Sequence, residues 1–211
     1  MHSKNDTIKS EIFEDLKIIF WRKVMKILVL TGSPHLHGTT AFLADEFCSG
    51  AKEAGNEIIR FNTSKLEIHP CTGCNHCRKD DENLGKCIFN DDMSQIYPHL
   101  LTAEAVVLVT PLYYFGMTAQ LKVVIDRFYS VNALLRKKPK RLYLIAAGAD
   151  ADNWVMDALK AHYKSICRYL RWQEGGMVLA FGAGTRKDVE SSEYKAMART
   201  LGKEMQHIYK Q

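Results

Sequence analysis

The sequence predicts a doubly wound α/β sandwich, one parallel five-stranded sheet with helices on both faces. Three observations predict it. Five short apolar runs alternate with stretches whose apolar residues recur at helical spacing. The composition of the 211 residues is that of a globular domain, with 46% hydrophobic, 25% charged, 13 Gly and 5 Pro. No internal repeat, low-complexity tract or Pro/Gly/Ser-rich linker divides the chain. Buried apolar strands separated by helices imply parallel pairing, because each right-handed crossover lays a helix on the sheet.

The elements follow in order. Lys26 to Thr31 (KILVLT) is a strand that ends in Gly32-Ser33-Pro34, and Thr39 to Ala54 is a helix with Leu43, Phe47, Ala51 and Ala54 on one face, stopped by Gly55. Glu57 to Asn62 has the weaker pattern of an edge strand. After a cysteine-bearing loop, a helix over Asp92 to Leu101 feeds the buried strand Ala105 to Thr110. A helix over Met117 to Tyr129, a strand over Arg141 to Ala147, a helix over Asn153 to Tyr169, a strand over Met177 to Phe181 and a closing helix over Ser192 to Tyr209 complete the series. The domain is expected to occupy residues 25–211, preceded by a helical extension over residues 1–24 in which Ile8, Ile12, Leu16 and Ile19 share one face. That segment is either an extra helix packed on the domain or a partner subunit, or a stretch upstream of a true start at Met25.

Several classes are excluded. No apolar run approaches the ~20 residues of a membrane-spanning helix, and the first 24 residues interleave charges with apolar residues and lack a cleavage site. A cytoplasmic protein is therefore expected, with six cysteines as thiols or ligands rather than disulfides, and with the Asn-x-Ser/Thr matches at Asn5 and Asn62 unused. The net charge of +5 is mild. Arg136, Lys137, Lys138, Lys140 and Arg141 lack interleaved aromatics, so they read as a solvated loop and no nucleic-acid partner is expected.

In open parallel sheets, ligands bind beyond the carboxyl ends of the strands. The first such end is Thr31-Gly32-Ser33-Pro34-His35-Leu36-His37-Gly38-Thr39-Thr40. Gly32 and Gly38 permit tight turns, Ser33, Thr39 and Thr40 offer hydroxyls, and the amides of the next helix point a positive dipole end at the loop. A phosphate suits this loop; an ordinary turn with Ser and Thr as helix caps is the plainer reading. Neither the triphosphate loop motif nor the dinucleotide motif is present. KILVLTGSPHLHGTT resembles the opening strand and phosphate loop of the flavodoxin-like NAD(P)H-dependent FMN reductases. The resemblance implies strand order 2-1-3-4-5 and an FMN phosphate surrounded by Ser33, His35, Gly38, Thr39 and Thr40, with His37 among the cofactor-binding residues. His35 stands where many relatives have Arg.

A second match begins at the third strand's end. Thr110-Pro111-Leu112-Tyr113-Tyr114-Phe115-Gly116-Met117, continued by Thr118, Leu121-Lys122 and Asp126-Arg127, resembles the family's Thr-Pro-x-Tyr segment. Pro111 stiffens the turn, Gly116 lets backbone approach a flat ring, and Tyr113 to Phe115 supply aromatic surface for an isoalloxazine. The resemblance adds a third edge, with Gly148 and Asp150 contacting the flavin. Gly182-Ala183-Gly184 is expected only to form a turn, and Tyr113, Tyr114 and Tyr129 are expected mainly to pack.

Cys71, Cys74, Cys77 and Cys87 place four thiols within 17 residues, followed by Asp91-Asp92-Met93. Such spacing suits an iron–sulfur cluster or zinc. The Cys-x2-Cys-x2-Cys run resembles the iron–sulfur flavoproteins, which hold a 4Fe-4S cluster beside FMN, although the gap before Cys87 is longer here. Three readings stay open: no metal, a 4Fe-4S cluster, or zinc with His69 or His76. Cys48 and Cys167 lie on expected helices as small apolar residues.

The resemblance as a whole implies an FMN-dependent oxidoreductase that moves electrons from NAD(P)H to a quinone, free flavin or redox protein, as a homodimer or homotetramer. A flavin or iron–sulfur electron carrier without nicotinamide chemistry is the alternative. A metal- or redox-sensing module is a more distant one. Because flavin carries the redox chemistry, no catalytic acid or base is assigned.

Overall fold

The computed structural model describes residues 24–205. The extension expected over residues 1–24 thus lies outside the described residues except for Val24, as does the end of the closing helix. Five parallel strands, β1 (Lys26–Thr31), β2 (Glu57–Asn62), β3 (Ala105–Pro111), β4 (Arg141–Ala147) and β5 (Gln173–Ala180), form one sheet in the order β2-β1-β3-β4-β5. The helices are α1 (Thr39–Glu53), α2 (Met93–Thr102), α3 (Ala119–Arg127), α4 (Asn132–Lys137), α5 (Asp157–Leu170), α6 (Arg186–Glu190) and α7 (Glu193–Lys203).

Strand residues alternate between two cores, as a period of two demands. Leu28, Leu30, Val106, Leu108, Leu142 and Leu144 share one cluster with Met93, Ile96, Leu121, Val124, Leu159 and Tyr163 of α2, α3 and α5. Ile27, Val29, Val107, Val109, Tyr143 and Ile145 share the other with Leu43, Phe47 and Ala51 of α1 and Ala198 of α7. Both faces are covered, which explains why β1, β3 and β4 are apolar at nearly every position.

Four details depart from the expectations. β5 starts at Gln173, four residues before the apolar run at Met177. Gly175 hides the early part: the register with β4 slips between Leu142 and Tyr143, and a Cβ at Gly175 would stand 2.5 Å from the Tyr143 ring. The helix expected from Met117 starts at Ala119, where the Thr118 hydroxyl accepts from the Leu121 amide (3.4 Å), and at Phe128 it tightens into a 3-10 turn, Phe128–Val131. The helix expected from Asn153 begins with a 3-10 turn before α5.

The basic run is not wholly a solvated loop. Arg136 and Lys137 end α4, and Lys140 is 0% exposed. Its Nζ donates to the Leu101 carbonyl (3.2 Å) and to the Ala103 carbonyl, and lies 6.0 Å from the centre of the Trp172 ring. The lysine thus closes the carboxyl end of α2, a partnership between segments distant in sequence. Cys48 and Cys167 are buried, as expected. No helix among the described residues is long and apolar enough to cross a membrane.

Candidate functional site

The loop after β1 is fixed from three sides. The Gly32 amide donates to the Val109 carbonyl (2.8 Å), and the Gly32 carbonyl accepts from the Thr118 hydroxyl (2.9 Å). A Cβ at Gly32 would stand 2.4 Å from that hydroxyl oxygen, so only glycine fits. The Ser33 carbonyl accepts from Asn62 Nδ2 (3.2 Å) and the Ser64 hydroxyl (3.1 Å), which ties the loop to the end of β2. The Ser33 hydroxyl oxygen accepts from the His35 amide (3.1 Å).

α1 then starts at Thr39 with no side-chain cap. The first-turn amides of a helix have no intrahelical acceptor. Thr40 is 2% exposed and lines the cleft, and its hydroxyl makes no hydrogen bond among the described residues. An anion at this helix end would satisfy both sets of donors. The plainer reading of the hydroxyls as helix caps is not what the structure shows.

The opposite wall is the segment after β3. The Leu112 amide donates to the Ala147 carbonyl (2.7 Å). Tyr113 and Gly116 exchange two backbone hydrogen bonds, each 3.1 Å, while Tyr114 (φ 48°) and Phe115 (φ 63°) both adopt the left-handed region. Two consecutive positive φ values are the signature of a type I′ turn, normally built from Asn and Gly. Here it lifts two aromatic rings out of the fold. Tyr114 is 100% exposed and Tyr113 is also exposed, so neither packs as expected, and the Phe115 ring stands beside the exposed Trp154 (ring centres 5.1 Å apart) and edge-on to Tyr114. Gly116 closes this turn; a Cβ there would meet nothing nearer than the Tyr113 carbonyl oxygen at 3.9 Å. Tyr129 instead accepts a hydrogen bond from Arg78 Nη1 (2.5 Å).

Between these walls lies a cleft of about 830 Å³, lined by Ser33 to Thr40, Pro111 to Tyr113, Gly148 and Ala149 among others. A neighbouring hollow of about 440 Å³ shares Leu112, Gly148 and Ala149 with it and adds Tyr114, Phe115 and Asp150. The structure therefore gathers the flavin-site residues singled out from the sequence around two adjoining hollows, with Gly116 closing the turn of one wall. Sequence reasoning missed Lys65, just after β2, and Ala183, Gly184, Thr185 and Arg186, after β5, all of which line the main cleft. Their signal was their place at strand carboxyl ends. Among the described residues no Asp or Glu lines the main cleft, whereas His35, His37, Lys65 and Arg186 do. The donor set fits a phosphate ester, and the turn's exposed rings fit a planar aromatic head.

The cysteines form a second feature. Cys71, Cys74, Cys77 and Cys87 all line one cavity of about 20 Å³ with Gly73, Arg127 and Tyr129. Burial pushes the Cys77 thiol up, and the neighbouring thiols, Cys87 foremost, add to it. The loop is anchored by Arg127 and Asp91, 1% and 4% exposed, paired at 2.6 Å. Arg127 Nη1 also donates to the His69 carbonyl (2.8 Å), and Asp91 accepts from the His69 and Met93 amides (3.0 and 3.1 Å). Burial works against the Asp91 carboxylate, but the hydrogen bonds from Arg127 and these amides outweigh it and hold the group below the ordinary range. Four thiolates suit a soft metal or an iron–sulfur cluster. Yet among the described residues no group of three or more His, Cys, Asp or Glu stands close enough to hold a metal ion. The donor chemistry and the convergence of the four thiols on one cavity suit a cluster, whose irons share them, whereas the thiols do not stand close enough in this structure to share a single ion.

Residues 25–184 match the family model described as NADPH-dependent FMN reductase. An iron–sulfur flavoprotein of Methanocaldococcus jannaschii is 36% identical over 141 residues, 64% of this chain and 68% of that protein. A second from the same organism is 32% identical over 129 residues, 61% of this chain and 65% of that one, so the chain spans about two thirds of these relatives. An NAD(P)H:quinone oxidoreductase from Methanothermobacter marburgensis aligns with a TM-score of 0.66 over 89% of this chain and 100% of that one, at 14% identity, which shows a shared fold.

Proposed function

Because the chain belongs to the NADPH-dependent FMN reductase family, we propose that it is an oxidoreductase that takes electrons from NAD(P)H through FMN and passes them to a second acceptor, a quinone, free flavin or redox protein. The observation that carries the reading is the cleft at the strand tips, with an acid-free, uncapped helix end on one side and an exposed aromatic turn on the other. Bound FMN supplies the hydride-accepting and electron-releasing chemistry. The chain's own residues bind and orient. Ser33, Thr39 and Thr40, with the α1 amides, hold the phosphate, beside His35, His37 and Gly38. Pro111, Leu112 and the turn Tyr113–Gly116 lay aromatic and apolar surface beside the ring.

Gly148 lets Leu112 and Met156 pack close against the backbone that lines the cleft, since a Cβ there would stand 3.2 Å from Leu112 and 3.3 Å from Met156, and Asp150 lies on the rim of the adjoining hollow. The exposed Tyr114 wall suits a homodimer or homotetramer in which a second subunit completes the acceptor pocket. Releasing and identifying the chromophore of native protein, then following NADH and NADPH oxidation with quinone or free flavin, tests the reading. Folded protein that takes up no FMN overturns it.

A second reading is an iron–sulfur flavoprotein electron carrier with its cluster on Cys71, Cys74, Cys77 and Cys87, which the convergence of all four on one cavity favours. Anaerobic purification followed by iron and acid-labile sulfide analysis separates the two: stoichiometric iron and sulfide with no NAD(P)H oxidation supports the carrier.

A further inference from the structure

Two cations, Lys65 and Arg186, line the cleft, and among the described residues no Asp or Glu lines it. Lys65 lies within the family match, which ends at Gly184, short of Arg186. Arg186 opens α6 just after β5, and its guanidinium carbon lies 5.0 Å from the centre of the Phe42 ring, in the first turn of α1. Arg186 lines the same cleft as Thr39 and Thr40, at the helix end whose amides and Thr40 hydroxyl lack partners among the described residues. Its Nε donates to Glu190 (2.6 Å), and its two Nη groups make no hydrogen bond among the described residues. Lys65 follows β2, adjacent to Ser64, which donates to the Ser33 carbonyl of the same loop (3.1 Å). Its Nζ has no hydrogen bond or ion pair among the described residues. The two residues thus reach the cleft from the β2 side and the β5 side of the sheet.

We propose that Lys65 and Arg186 form a two-sided clamp for a phosphate monoester dianion in this cleft, adding full positive charge to the amide and hydroxyl donors of the loop after β1. Arg contributes planar paired donors and Lys a mobile point charge. The inference rests on the flavin reading. The phosphate has two possible sources, the 5′-phosphate of FMN and the 2′-phosphate of NADPH, and the test distinguishes them.

Lys65→Gln, Arg186→Gln and the double variant are titrated with FMN and with riboflavin, which lacks the phosphate, and their kcat/KM is compared for NADPH and NADH. Riboflavin affinity also verifies that each variant retains the folded cleft. The expected result is an FMN affinity roughly tenfold or more weaker in the double variant, with riboflavin affinity unchanged, as loss of charge-assisted bonds predicts. Unchanged FMN affinity with a similar loss of kcat/KM for NADPH but not NADH supports the clamp with the nicotinamide cofactor as its ligand. If both ratios, FMN to riboflavin and NADPH to NADH, stay at their wild-type values, the clamp is overturned while the flavin reading stands. Wild-type protein that binds neither flavin overturns both.

Discussion

Asp91 and Arg127 show how a single pair fixes the loop that carries the cysteines. With both side chains nearly inaccessible and paired at 2.6 Å, removing one partner leaves a buried charge alone. Asp91→Ala is therefore expected to cost about 3–5 kcal/mol in a denaturant titration, far more than a surface ion pair such as Lys122 with Asp126. Because the folded Asp91 pKa is depressed, its contribution is present above the unfolded carboxylate pKa and is lost as pH falls through the folded value. Lys140 has the opposite sign. Burial first, then the neighbouring Lys138, lower its pKa from 10.5 to about 7, against an offset from Glu104. Between those values the unfolded chain holds a proton that the native state has released, so stability rises with pH from about 7 to about 10, by an amount on the order of a few kcal/mol. Unfolding titrations across that range are expected to show the rise in wild type and to lose it in Lys140→Met. Sequence reading placed Lys140 in solvent because its neighbours are charged. Its acceptors, the Leu101 and Ala103 carbonyls, belong to an element nearly forty residues away in sequence, and no local pattern announces them.

At the scale of elements, the turn Tyr113–Gly116 spends stability on exposure. Two non-glycine residues in the left-handed region cost on the order of 1 kcal/mol each, and nothing buried compensates Tyr114. Replacing Tyr114-Phe115 with Asn-Gly, the pair this turn type favours, is expected to raise the unfolding free energy by about 1–2 kcal/mol while weakening flavin affinity in a fluorescence titration. A gain in both would show that the rings have no ligand to face. The packing of α1 on α7 makes the reverse point. A Cβ at Gly202 would stand 2.1 Å from the Phe47 carbonyl oxygen, and one at Gly50 2.0 Å from that of Arg199. Alanine improves helix propensity by about 1 kcal/mol, but separating two helices costs about 1–3 kcal/mol or more, so Gly202→Ala is expected to destabilise overall by chemical denaturation. Most elements were legible because burial on both faces writes unbroken apolar runs into β1, β3 and β4. The start of β5 was not, since Gln173 to Gly176 pair with β4 through a bulge and carry almost no apolar signal.

For the whole molecule, the order β2-β1-β3-β4-β5 matters more than any single loop. Chain direction across the sheet reverses between β1 and β3, so the loops that follow them part and open a cleft that neither strand makes alone. Motifs at Gly32 to Thr40 and Thr110 to Gly116 made both walls readable, since each carries several constrained residue types in fixed order. Lys65 and Ala183 to Arg186 escaped because reaching the cleft depends on how loops bend after β2 and β5, which spacing does not encode. The same architecture yields a last prediction. A site assembled from five strand ends exists only in the native state, so a ligand that fills it binds the folded chain alone. FMN at 100 times its dissociation constant is then expected to stabilise the fold by about 2.7 kcal/mol, a rise in Tm of about 5–10 °C for a chain of this size. Riboflavin at the same concentration is expected to give a smaller rise, because its ribityl end leaves the α1 amides and the Thr40 hydroxyl without an anion. Scanning calorimetry with each ligand measures the difference, and equal shifts would place the phosphate outside the cleft.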